Sequence, residues 1–590
     1  MYYDFSIKIP EEKGKIIIKK KGNATYVLYQ YGSKYNSDKK YAVPQRTIIG
    51  KLDPENEGRM FPNEKCQEFF ADLCVPDELP ESYRSCCLKI GSYAVIQKIL
   101  KEYDLPKLLK KWFPDDCGLL IDLMTYLIVE EENAGQYYPD FAYNHPLFSD
   151  GMKIFSDSKV CRFLKSVTPD QIIGFLKDWN KKRDHKQRIY VSYDSTNKNC
   201  QAGDIDLIEY GKAKEEKGLP IFNHAIANDN KNQVPLFYEI YPGSITDVSQ
   251  FEFLVEKIRS YNYKNVGFIL DRGYFSKDNI RYMEKNNYSF IIMVKGRKHL
   301  VSSIIDEHRN TFETDRSCRI RAYRVYGKTI KGRLYEDDTC DRYFHLYFNA
   351  SRQSAEREQL EQMLDKQHLA LEKSIGKEVD LSKNCYDYFE LICDKKNCLV
   401  SFKEKTDVIQ QQLQRCGYFC IVTSEEMTAS QALIHYKGRD ISEKLFRADK
   451  SFLGSKSMRV QTAESLSSKV FIEFVALIVR NRIYNLLKEN TLKMESRPNY
   501  MTVPAAIREL EKIEMVKRND GSYRLDHAIS KRQKTILGSF GMDVTSIKEI
   551  SNDISTLLAK NQSLLANSNC TDEIDEEDDY DGTFEEYFYN

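Results

Sequence analysis

Between Tyr436 and Lys450 the chain reads YKGRDISEKLFRADK. Tyr436, Arg439, Glu443 and Lys450 follow at steps of three, four and seven. That spacing keeps them on one face of a helix. One carboxylate thus stands in a row with two cations and a phenol. A carboxylate can bind a divalent metal, and cations beside a phenolic hydroxyl suit phosphate oxygens. The same residues on an exposed helix would form ordinary i,i+4 ion pairs. The row alone leaves both readings open.

Two more acids lie upstream. IYVSYD ends in Asp194 and VGFILD in Asp271, each closing an apolar run that predicts a buried strand. In open α/β sheets ligands bind beyond the C-terminal strand ends, although an Asp there is also a common turn former. Three carboxylates on one site can hold two divalent metals ~3.5–4 Å apart for in-line phosphoryl transfer. Mg²⁺ suits such hard oxygen ligands. Glycoside hydrolysis by two carboxylates would have no use for the cations around Glu443.

The elements that must position these residues can be read in outline. Residues 13–51 carry ten Lys and Arg against one acid, Asp38, and alternate as strands. They predict a two- or three-stranded sheet with turns at Gly22-Asn23 and from Gly32 to Asp38. Bases among tyrosines there, with Lys19, Lys20, Lys21 and Arg46 as candidates, suit a DNA backbone; a solvated basic hairpin is the alternative. Residues 88–185 predict helices, with Thr168 capping a helix that opens at Pro169. Their role is either scaffold or DNA-end binding. From Ile189 strands alternate with helices, ending in YSFIIMVK. Residues 297–430 interrupt that rhythm, and YFCIVTS at 418–424 leads back into the Tyr436 helix. An apolar helix over Val470–Leu487 contains Glu473 within its most hydrophobic run. The helix 502–514 and a strand pair around Asp520-Gly521 follow.

Several classes are excluded by composition. Lys plus Arg equals Asp plus Glu, 88 each, but ten of the acids lie between Asp572 and Glu586. The rest of the chain therefore has 88 basic against 78 acidic residues, net +10. So dense an acidic block predicts a disordered tail. Fifteen scattered cysteines without paired CxxC and His spacing argue for free thiols in a reducing cytoplasm rather than a zinc site. The N-terminus lacks a signal-peptide apolar region, and the apolar run at 470–479 is too short to span a bilayer.

With YDST at 193–196, YPGSITD at 241–247, LDRGYFS at 270–276 and Y-x2-R-x3-E-x6-K at 436–450, the sequence resembles the DDE insertion-sequence transposases with the Tyr-Arg-Glu-Lys signature. The resemblance implies an α/β fold: a ribonuclease-H-like mixed-sheet core with a mixed α+β insertion, preceded by a small basic β segment and a helical domain. It implies that Asp194, Asp271 and Glu443 bind two Mg²⁺ ions, for which Mn²⁺ can substitute, and that Tyr436, Arg439 and Lys450 contact DNA phosphates. The activity implied is metal-dependent cleavage at the ends of an insertion sequence and strand transfer into target DNA. The partners implied are double-stranded inverted-repeat ends and target, a homodimer in the synaptic complex, and no membrane. Some members stack a flipped base on a tryptophan of the insertion. Here the only tryptophans are Trp112 and Trp179, so Tyr323 or Phe344 would have to substitute. A repurposed DNA-binding protein, a metal nuclease without strand transfer, and three purely structural acids are the rival readings.

The expected organisation is a basic β-rich segment over 1–65, a helical domain over 66–187, the core in two parts over 188–296 and 431–490, an insertion over 297–430, a C-terminal α/β region over 491–567 and the acidic tail over 568–590.

Overall fold

The structure, a computed structural model, describes residues 2–567 except 4–5, 23, 37–39, 55–57, 74–83, 184–187, 203–204, 246, 295–297, 379–386, 395–396 and 519–520. The acidic tail, Asp38 and Asp520 lie outside the described residues.

The basic N-terminal stretch forms a five-stranded sheet: β1 (Ile7–Lys8), β2 (Ile16–Lys21), β3 (Ala24–Asn36), β4 (Tyr41–Leu52) and β5 (Arg59–Pro62), in the order β1-β5-β4-β3-β2. It is larger than the two or three strands expected, because the chain on both sides returns to pair with β4 and with β5. Gly32 to Asn36 lie within β3 rather than in a turn. A register shift between Gln30 and Gly32 leaves Tyr31 as the extra residue, and the ladder continues to Asn36 opposite Tyr41.

Helices follow from residue 64, among them Gly91–Glu102, Cys117–Glu130 and Pro169–Lys181. Thr168 caps the last of these by accepting from the Gln171 backbone N–H, and Gln171 reaches back in a capping box. This helical region shares one hydrophobic core with the C-terminal part of the chain. Its β6 (Cys87–Lys89) pairs with a hairpin some 430 residues downstream, at Glu514–Lys517.

The main sheet is mixed, as expected of the α/β class. It contains β7 (Ile189–Cys200), β8 (Ile221–Asp229), β9 (Val234–Pro242), β10 (Val266–Leu270) and β11 (Ser289–Met293). It also takes in β12 (Arg319–Ile320), β13 (Val325–Gly332), β14 (Arg342–Phe348) and, beyond the hairpin β15 (Phe389–Cys393) and β16 (Leu399–Glu404), β17 (Tyr418–Thr423). The order is β12-β13-β14-β17-β11-β10-β7-β8-β9, and β18 (Ser457–Met458) pairs with β7. β10 runs parallel to both β7 and β11, whereas β8, β9 and β17 are antiparallel to their neighbours. Residues 297–430 are therefore not set apart as a whole from the sheet: β12, β13, β14 and β17 all come from them. The helix Lys298–His308 packs on the large core, whereas the helices Ala350–Glu372 and Thr406–Arg415 with the β15–β16 hairpin pack around a small core of their own.

Alternation decides which face each strand residue covers. Phe268, Leu270, Phe290, Ile292, Cys420 and Val422 face the large core. Ile269, Ile291 and Ile421 face the other way, onto Leu433 and Tyr436 of the Ala429–Gly438 helix. The helix Ala463–Lys493 runs through the large core and is buried on all sides over Val470–Arg480. Among the described residues no helix is long and apolar enough to cross a membrane.

Candidate active site

Asp194 does not end its strand. β7 continues to Cys200, and the neighbour β10 is what stops, at Leu270 opposite Tyr193. Asp271 is the residue after Leu270, so the two acids emerge side by side where the shorter strand gives out. Asp271 precedes a short turn at Arg272–Tyr274, and its side chain makes no capping hydrogen bond. Turn formation, the ordinary use of such an Asp, does not occupy the carboxylate here.

The third acid arrives on a broken helix. The expected single helical face from Tyr436 to Lys450 is instead three pieces: Ala429–Gly438, Asp440–Arg447 and a π-helical turn over Ala448–Phe452. Thr428 caps the first piece, and the Tyr347 hydroxyl donates to the Ala429 carbonyl at 2.7 Å, docking it on β14. The second piece docks on β7 through buried Ser442 and Ser192, whose hydroxyls lie 3.1 Å apart. Ser192 shares its strand face with Asp194, and Ser442 adjoins Glu443. This contact sets the second helix beside the acids.

Arg439 stands at the break between the first two pieces and joins all three acids. Its Nη1 lies 3.4 Å from Asp194 Oδ2 and 3.5 Å from Asp271 Oδ1, and its Nη2 lies 3.2 Å from Glu443 Oε1. The Tyr436 hydroxyl reaches the same Asp271 oxygen at 3.5 Å. Exposure of the acid side chains rises from 17% at Asp194 through 36% at Asp271 to 61% at Glu443. Burial pushes Asp194 up to about 6, against Arg439 and the Ser195 backbone N–H, with Asp271 adding to the rise. Burial also raises the Tyr436 hydroxyl, which therefore stays protonated and can donate. For Arg439 burial acts downward, but Tyr436, Asp271, Asp194 and Glu443 together hold it above its ordinary value.

Lys450 lies apart from this group. The π-turn carries it off the Glu443 face, and its ammonium donates to Glu215 at 3.2 Å. Burial lowers its pKa against that partner. The adjacent Lys214 donates to the Ser195 carbonyl at 3.0 Å and adds positive potential at Asp194. Glu215 and Lys214 carry no motif that would have pointed to them.

Beneath the π-turn is a cluster that the sequence marked only through Glu473 in an apolar run. Lys198 of β7 bridges Asp449 and Glu473, at 2.7 Å to each, and all three side chains are fully buried. His224 of β8 lies 3.5 Å from Asp449, and the Ser455 hydroxyl donates to Glu473 at 2.6 Å. Burial, then Lys198, lowers His224, which keeps it neutral. One cation thus offsets two carboxylates, tying the segment that carries Lys450 to β7 and to the long helix.

The candidate DNA contacts of the N-terminal sheet lie elsewhere in the chain. Lys19, Lys20 and Lys21 are exposed on β2, an edge strand. Lysines there also blunt edge-to-edge pairing. Arg46 is exposed on β4 and donates to Gln30 at 3.2 Å. Of the aromatics considered in place of a tryptophan, Phe344 is buried in the large core, whereas Tyr323 is partly exposed and lines a pocket beside Gly438.

Three carboxylates are oxygen donors of the kind a hard divalent cation takes. Among the described residues no three His, Cys, Asp or Glu side chains are grouped so as to hold a metal ion. At these acids it is the Arg439 guanidinium that the carboxylates surround.

Residues 191–479 match the family model described as a transposase DDE domain. No curated protein matches the chain. Solved structures that resemble it include a cryo-EM structure of a piggyBac transposase synaptic complex with hairpin DNA, at 8% identity and a TM-score of 0.33, covering 83% of this chain and 85% of that one. The family match spans Asp194, Asp271, Glu443 and the Arg439 that joins them, so residues 191–479 are a transposase DDE domain.

Proposed function

We propose that the chain cleaves DNA at the ends of an insertion sequence and joins those ends to target DNA, using Asp194, Asp271 and Glu443 as ligands for two Mg²⁺ ions. One observation carries the reading: all three carboxylates lie within 3.5 Å of a single guanidinium. Three acids brought to one cationic group, where β10 stops beside β7, form a cation-collecting site open to solvent on the Glu443 side. The match of residues 191–479 to a transposase DDE domain supports the same conclusion.

Bound divalent ions would activate the attacking oxygen and stabilise the leaving one. The residues of the chain prepare that chemistry. Asp194 and Asp271 are held by adjacent strands, and Glu443 by the Ser192–Ser442 contact. Arg439 offsets the charge of the three carboxylates, and its planar fork can hold phosphate oxygens. Tyr436 donates from its protonated hydroxyl, and Lys450 offers a point charge.

The antiparallel β9-β8-β7 unit followed by parallel β10 and β11 supports a ribonuclease-H-like core. Domain limits as expected from the sequence, except that β12, β13, β14 and β17 of 297–430 join the main sheet, a homodimeric synaptic complex, contacts of Lys19, Lys20, Lys21 and Arg46 with DNA, and a cytoplasmic location belong to the same proposal.

The test uses purified full chain, duplexes carrying the element's ends and a target plasmid, with and without Mg²⁺. Cleavage and joining should both require the ion. Asp271→Asn should abolish both by orders of magnitude while end binding survives. Near wild-type nicking by that variant would overturn the assignment, and cleavage without joining would reduce the protein to a nuclease.

A further inference from the structure

The elbow at Gly438–Asp440 serves two sites. Tyr436 and Arg439 turn toward the acids. Ile434, His435, Lys437 and Asp440 line a pocket of about 640 Å³. Five bases and one acid, Asp440, line that pocket, a net charge of +4. The bases come from separate elements: Arg188 before β7, Lys231 in the β8–β9 turn, Lys437 at the end of one helix, Lys444 on the next and Lys488 on the long helix.

Arg188 is engaged by Glu425 at 2.6 Å. Among the described residues no carboxylate pairs with Lys437, Lys444 or Lys488, and all three are exposed. Lys444 and Lys488 instead lie over one ring, that of Tyr484, at 5.5 and 5.9 Å from its centroid. Two ammonium groups held near one ring repel each other, and an anion near both would relieve that repulsion. The far wall is aromatic: His435 packs on Tyr190 with ring centroids 4.4 Å apart.

The pocket is also tied mechanically to the site. Asn230 donates its amide to the His435 carbonyl at 3.3 Å, closing the end of the Ala429–Gly438 helix. A Cβ at residue 438 would lie 2.3 Å from the Asn230 amide oxygen, so only glycine allows this approach. Occupation of the pocket therefore bears on the elbow that carries Arg439.

We infer that this pocket binds the phosphodiester backbone of DNA next to the reacting phosphate, with Lys437, Lys444 and Lys488 as its anion contacts. Scattered lysines without a bidentate fork match a backbone rather than a base edge. The inference rests on the proposed DNA-cleaving function. The backbone can come from DNA flanking the element's end or from the target, and the two sources separate experimentally.

The experiment compares full-length wild type with Lys444→Gln/Lys488→Gln. Binding to a random-sequence duplex is measured over a range of salt, with melting temperature as the folding control, since both lysines are exposed. Each lost phosphate contact should flatten the slope of log K against log salt by about 0.9. If flanking DNA occupies the pocket, the variant should cleave intact ends more slowly yet transfer pre-cut ends normally. If target DNA does, cleavage should be normal and transfer impaired. An unchanged salt slope overturns the pocket, whatever the reaction rates. Failure of the function reading looks different: the wild type itself then shows no Mg²⁺-dependent cleavage, while the salt slope still decides the pocket.

Discussion

Asp194→Asn should make the folded protein more stable near neutral pH while removing a metal ligand. Burial holds the Asp194 carboxyl at about 6, against an ordinary value of 3.8. A carboxyl whose folded pKa is raised favours the folded state fully below its unfolded pKa, and that advantage is lost as pH rises through the folded pKa. With the shift from 3.8 to about 6, ionisation costs the fold about 3 kcal/mol near pH 7 and about 1 kcal/mol near pH 4.5. An asparagine has no charge to ionise and can still accept the Ser195 N–H bond of 2.9 Å. Its amide faces Arg439 less well than a carboxylate does, so about 3 kcal/mol is a ceiling. If residues 191–479 unfold as one unit, an unfolding entropy of about 0.6 kcal/mol/K converts that ceiling to a rise of about 5 °C. The assay is thermal unfolding of both proteins near pH 7 and near pH 4.5, with and without Mg²⁺. The difference should grow with pH, and Mg²⁺ should raise the melting temperature of the wild type more than that of the variant. An Asn variant less stable at both pH values, or a difference that does not move with pH, would refute the reasoning.

Lys198→Met should destabilise by about 3–5 kcal/mol, because it leaves Asp449 and Glu473 buried without their cation; chemical denaturation reads this directly. Arg439→Ala and Lys450→Ala should each weaken binding of the cut end by about 1.5–3 kcal/mol, measured by titration with end duplex; normal end binding with a lowered melting temperature would leave them a structural role only. Deleting residues 1–60 should flatten the salt dependence of DNA binding, and an unchanged slope would make Lys19, Lys20, Lys21 and Arg46 a solvated edge.

Much of the chemistry was legible because it depends on residue type and local order. The apolar runs before Asp194 and Asp271 mark two buried strands, since a strand covered on both faces needs hydrophobic residues throughout. Thr168 and Pro169 mark a helix start, because capping is local. The Tyr436–Lys450 spacing singled out Arg439 and Glu443, which the structure places 3.2 Å apart. Tertiary structure decided what depends on partners distant in sequence. That Asp194 sits in mid-strand, level with Asp271, follows from β10 being shorter than β7, and strand length is set by pairing. The helix through Arg439 breaks, and a π-turn turns Lys450 toward Glu215, because Ser442 must dock on Ser192 while Asp449 reaches Lys198. No local periodicity encodes those contacts, which span some 250 residues. The joining of β12, β13, β14 and β17 to the main sheet is of the same kind. Alternation shows that a segment is a strand, but hydrogen bonding to a particular neighbour is settled only when the whole sheet assembles.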